Sequence, residues 1–187
     1  NDANAGAFAE GIGSDLPSSF FYLSLSNTVG GAIFHDGNLL PGDAFRCGEA
    51  GHMTLIPDGK PCYCGKTGCV DAYCSARLLS DLSGGRLEDF FLGLQQNNPD
   101  YRSVWDTYLK HLAVVINNLH MLLDYDIVLG GYVGSFLTPW LDTIRHLVAE
   151  RNTFEDDGSF VKLCTYQTGA AAYGAAMDVM EEFLRTV

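Results

Sequence analysis

The segment from Gly48 to Asp71, GEAGHMTLIPDGKPCYCGKTGCVD, restricts the fold more than any other, because it sets Glu49, His52, Cys62, Cys64, Cys69 and Asp71 among closely spaced glycines. Thiolates at i, i+2 and i+7 reach a single ion only where the backbone turns sharply, and Gly59, Gly65 and Gly68 supply that freedom. His52 reads as the fourth ligand. Three Cys and one His form a closed structural shell, and soft sulfur ligands select zinc over magnesium or calcium. A disulfide framework built from the six cysteines is the competing reading. It is disfavoured, because the sequence opens without secretory-leader character and is long enough to bury its own core. Cys47, Cys74 and Cys164 have apolar neighbours and are expected as buried free thiols, with Cys74 the one that could substitute as a ligand. His35, His111, His120 and His146 read as surface or core residues.

Hydrophobic patterning predicts a helix over Ala3–Gly11, following the polar pair Asn1 and Asp2, and a strand over Phe20–Leu25. A turn is expected from Asn27 to Gly31 and a partner strand over Ala32–Phe34, closed by the hairpin signal Asp36-Gly37-Asn38. After the cysteine loop come helices over Ala72–Leu82 and Leu87–Gln96, parted by Gly84-Gly85. Val104, Tyr108, Leu112, Val115, Leu119 and Leu122 recur at helical spacing and read as a core stripe. The run Asp126–Leu129, ending in Gly130-Gly131, suits a buried strand leading to a helix over Pro139–Arg151. A strand over Phe160–Tyr166 and a small-residue helix over Gly169–Leu184 follow. Strands alternating with helices after an early hairpin imply an α/β layered domain with a mixed sheet.

A chain of 187 residues, 47% of them hydrophobic, is expected to form one compact unit over 1–187, or one lobe of a larger protein. No apolar run approaches the roughly 18 residues that a membrane helix needs, so no membrane contact is expected. A formal net charge of −12 argues against gripping nucleic acid through its phosphates. The start at Asn1 without Met marks the sequence as an expected fragment.

With these motifs in place the chain resembles the ROK family of sugar kinases, repressors and open-reading-frame proteins. The marks are the opening Asn1-Asp2-Ala3-Asn4-Ala5, GEAGH at Gly48–His52, CYCGKTGC at Cys62–Cys69, IVLGG at Ile127–Gly131 and GAAAYGAA at Gly169–Ala176. The resemblance implies the C-terminal lobe of an actin-like ATPase (ribonuclease H-like) fold, with a mixed sheet flanked by helices, a zinc-binding loop, and an N-terminal lobe lying outside this sequence. It implies zinc on His52, Cys62, Cys64 and Cys69, and a sugar or sugar phosphate at Asn1, Asp2, Glu49, His52 and Asp71. Hydroxyls of a sugar both donate and accept, which suits two or three carboxylates beside an amide and an imidazole. It also implies a cytoplasmic homo-oligomer.

In kinases of this family the aspartate matching Asp2 is the general base, and nucleotide would lie near Thr28, Gly30, Gly31, Gly130 and Gly131, with ATP and magnesium as cofactors. The chain departs from that pattern. Where the family has Gly-Thr-Gly followed by further glycines, it reads Ser26-Asn27-Thr28-Val29-Gly30-Gly31-Ala32, which sets side chains where backbone must approach phosphate. Asp71 replaces a glutamate, and no Asp-x-Gly-Gly-Thr run occurs. The leading expectation is therefore the sugar-sensing effector lobe of a transcriptional regulator of the N-acetylglucosamine-repressor type, contacting DNA only through an N-terminal domain outside this sequence. The alternative is a lobe of an ATP-dependent hexose or N-acetylhexosamine kinase.

Overall fold

A computed structural model of the chain describes residues 1–186. Helix α1 (Asp2–Gly13) begins where Asn1 caps it, the Asn1 Oδ1 accepting from the Ala3 amide at 2.9 Å. Strands β1 (Phe20–Leu25) and β2 (Val29–His35) form an antiparallel hairpin. A two-residue turn, Asp36-Gly37, with both residues at positive φ, then leads into the short β3 (Asn38–Leu39). The cysteine loop follows, and after it α2 (Asp71–Cys74), α3 (Ala76–Ser80), α4 (Leu87–Gln95) and the long α5 (Pro99–Leu123). Asn98 caps α5 with Pro99 at its first position, and Asp124 ends it in the left-handed region. Strand β4 (Asp126–Gly130), α6 (Gly131–Gly134), α7 (Leu141–Ala149), β5 (Val161–Leu163) and α8 (Ala170–Thr186) complete the chain.

The sheet order is β3-β2-β1-β4-β5, with β1, β4 and β5 parallel and the hairpin strands antiparallel. The expected mixed α/β sheet is present. Every residue of β1 is buried because helices cover both faces, and side-chain alternation divides the strand between two cores. Phe21, Leu23 and Leu25 join the larger core with Phe90, Trp105 and Leu112. Phe20 and Tyr22 face the smaller one, built on Ala3 and Ala7 of α1 and Ala170 of α8.

The structure corrects several boundaries. The hairpin connection is Ser26–Thr28, so Gly30 and Gly31 lie in the ladder opposite Ser24 and Leu23 and not in the expected turn. The glycines there answer close packing: a Cβ on Gly31 would collide with the Phe21 ring and the Gly48 carbonyl. The helix expected over Ala72–Leu82 breaks at Ser75, which is extended, because the Ala76 amide leaves the helical ladder to donate to the Ser26 carbonyl at 2.8 Å. Leu122 is 75% exposed and does not belong to the core stripe. The inward position of that turn is taken by buried His120, four residues after Ile116. Only Val161–Leu163 of the expected Phe160–Tyr166 strand pairs in the sheet, and the region from Pro139 to Arg151 is a 3-10 turn followed by α7. Cys74 and Cys164 are buried as expected, whereas Cys47 is only half-buried.

Candidate functional site

The cysteine loop is a tight knuckle. The Cys62 amide donates to the Lys66 carbonyl at 2.8 Å, the Gly65 amide donates back to Cys62 at 3.0 Å, and a bridge between Thr54 and Cys69 closes the base. Gly65 and Gly68 both take positive φ, as the sharp turns require. One ligand atom from each of His52, Cys62, Cys64 and Cys69 lies within 4.8 Å of the others. The Cys64 and Cys69 sulfurs are 3.8 Å apart. That is the edge of a tetrahedron with Zn–S bonds of about 2.3 Å, so this donor set fits a structural zinc. Burial, followed by the neighbouring thiols, pushes the Cys69 thiol up to about 12. The Lys66 backbone amide holds the Cys64 thiol below its usual range, so it is Cys69 whose ionisation calls for a cation in the cluster's midst. Cys74 is fully buried in the main core and takes no part.

The sugar candidates gather around the first residues of β2. Gly51, in the 3-10 turn Ala50–His52, is backed against the Val29 carbonyl, and Ala3 of α1 faces Gly30. This brings Asn1 and Asp2 at the head of α1 and Glu49 and His52 in the loop to the same end of the strand. Asp2, Glu49 and His52 are exposed, as a ligand contact requires. Asn1 uses its Oδ1 as the cap of α1. Asp71 is 7% exposed, and its Oδ1 accepts from the Val29 amide at 2.6 Å, so its shortened side chain braces the hairpin. Tyr63, between two of the thiols, places its hydroxyl 3.2 Å from Nε2 of His52, a contact that ligand spacing gave no means of finding.

Asp2 also lines a small cleft of ≈ 70 Å³ with Tyr22, Ser24, Ser26, Gly131 and Thr168. It lies at the carboxyl ends of the parallel strands β1 and β4, where open α/β sheets place their ligands. Tyr132 and Thr168 continue it into a roomier cavity of ≈ 280 Å³ walled by Asn27, Leu87 and Phe136. Of the nucleotide candidates, Gly131 lines the cleft. Thr28 is exposed at the hairpin tip, Gly30 and Gly31 lie within β2, and Gly130 ends β4 against the Tyr22 hydroxyl. Ser24 of the run FFYLSL also lines the cleft, a placement that only the strand's register reveals.

Comparison with known proteins adds the context of this geometry. A family model described as "ROK family" matches residues 1–182. An N-acetylmannosamine kinase of Escherichia coli O7:K1 is 32% identical over 98% of this chain and 65% of its own length. A glucokinase of Streptomyces griseus, solved with glucose and AMPPNP, superposes with a TM-score of 0.79 at 24% identity, over 94% of this chain and 65% of that one. A ROK family transcriptional regulator, a homolog of the E. coli MLC protein, superposes with a TM-score of 0.74 at 23% identity, over 94% of this chain and 51% of that one. The chain spans between 48% and 65% of the length of the curated relatives it matches. Among the described residues, no helix is long and apolar enough to cross a membrane.

Proposed function

The chain belongs to the ROK family and carries its actin-like ATPase fold, and on that premise we propose that it is the sugar-recognising lobe of a ROK sensor. In this reading a hexose or N-acetylhexosamine binds at Asp2, Glu49 and His52, and zinc on His52, Cys62, Cys64 and Cys69 holds the loop that presents the imidazole. Occupancy shifts the balance between two lobe arrangements, and DNA is contacted by a part of the protein outside this chain.

The observation that carries the sensing reading is the state of the β1–β2 hairpin. A phosphate loop offers bare backbone N–H groups and no opposing charge. Here Ser26, Asn27 and Thr28 fill the connection, Ser26 Oγ pairs with Ser24 Oγ at 3.2 Å, and the Val29 amide is held by the Asp71 carboxylate. That buried carboxylate repels a polyphosphate from the base of the loop.

One observation favours the second reading, an ATP-dependent sugar kinase. Asp2 lines the cleft that leads to the larger cavity, which is where a base would take the proton of a sugar hydroxyl as that hydroxyl attacks the γ-phosphate of magnesium-bound ATP, with ADP leaving. The two readings part in one assay, ADP formation by the full-length protein with ATP, magnesium and a panel of hexoses and N-acetylhexosamines. The sensor gives sugar-dependent thermal stabilisation without turnover. Turnover that drops about 10²–10⁴-fold in Asp2→Asn would establish the kinase and end the sensing reading.

A further inference from the structure

A separate cavity of ≈ 330 Å³ shares no lining residue with the cleft around Asp2 or the cavity beyond it. It opens between the cysteine loop, α3 and α5. Leu78 and Val104 give it apolar walls, while Lys60, Ser103, Thr107 and His111 bring polar groups. Among the described residues no carboxylate lines it, although the chain carries a formal net charge of −12. In a protein this acidic, a concave site with a cation and no anion selects its ligands by sign.

The cation is held in place. The Lys60 amide donates to the Tyr73 hydroxyl at 2.6 Å, and Lys60 Nζ lies 5.2 Å from the centroid of the Tyr73 ring. His111 meets the same ring edge-on at 4.9 Å. Burial and then the Lys60 charge hold the His111 imidazole below its usual range, so the site presents one fixed positive charge beside an imidazole that an incoming anion would help to protonate. Thr107 gives its hydroxyl proton to the Ser103 carbonyl at 3.0 Å, which leaves the Ser103 hydroxyl as the donor for a ligand.

We propose that this cavity is a second ligand site, for a small molecule with one anionic group, carboxylate or phosphate, on a partly apolar body. The anion sits on Lys60, His111 and Ser103, and the apolar part lies against Leu78 and Val104. The site is wired to the cysteine loop: the Lys60 carbonyl accepts from the Gly68 amide at 2.8 Å, next to the ligand Cys69. Tyr73 lies in α2 two residues after Asp71, which holds β2. An anion here therefore stiffens the loop that carries His52, as an input separate from the sugar.

The test needs no sugar and is independent of the reading above. Benzoate and phenyl phosphate are titrated into the chain while the imidazole Cε1–H resonances are followed by NMR, His111 being assigned through His111→Gln. We expect one or both probes to move the His111 signal saturably and to raise its titration midpoint, and the better probe identifies the anion. Lys60→Gln, which keeps the stem over Tyr73, weakens binding at least about tenfold, the loss of one charge-assisted contact, while Lys110→Gln leaves it unchanged. No shift with either probe at millimolar concentration, or a shift undiminished in Lys60→Gln, overturns the proposal.

Discussion

At Asp71 a short carboxylate turns inward and holds the start of a strand. Its Oδ1 takes the Val29 amide at 2.6 Å inside the protein, with 7% of the residue exposed. Asp71→Ala leaves that N–H without its partner, and we expect a loss of about 1–3 kcal/mol, seen as a lower urea midpoint at an unchanged slope. The grouping of His52, Cys62, Cys64 and Cys69, whose potential ligand atoms lie within 4.8 Å of one another, was legible because it is written in local spacing, which survives without knowledge of the fold. Tyr63 and Ser24 were not. Which face of β1 carries Ser24 depends on the register with β4, a pairing between distant segments, and the Tyr63 contact depends on how the knuckle closes.

The β1–β2 hairpin is the element on which the site turns, since α1, the Ala50–His52 turn, Asp71 and Ala76 all lean on it. Gly31 is where the strand, the Phe21 ring and the Gly48 carbonyl come together. Gly31→Ala should cost about 1–3 kcal/mol by overpacking and displace the 48–52 loop, so that the denaturation midpoint and the affinity of the proposed sugar site fall together. Glycine's local preference suggested a turn at this place, and tertiary packing overrode it. The same competition explains the helix over Ala72–Leu82. Its periodicity was readable, but its break at Ser75 serves a hydrogen bond to Ser26 that no window of neighbouring residues contains. The long α5 was legible almost throughout, and failed only at Leu122, where an extended stripe met solvent.

Across the whole molecule the layered α/β plan was readable, because two cores on opposite faces of one sheet demand alternation in the strands and stripes in the helices. The proposed zinc acts at this scale too, since the knuckle ties Met53 to Val70 through a backbone bond of 2.9 Å and so joins the hairpin side of the fold to α2. Metal analysis should find about one zinc per chain. Stripping it with a strong chelator, or Cys64→Ser, should lower the melting midpoint by more than about 5 °C, given roughly 2–4 °C per kcal/mol in a chain this size.

The sheet's two margins are stubs, with two residues in β3 and three in β5. Beyond its short pairing with β3, the outer edge of β2 from Val29 to Gly31 lies against the loop at Gly48 and Gly51, which keeps a foreign strand from extending the sheet there and guards against edge-to-edge aggregation.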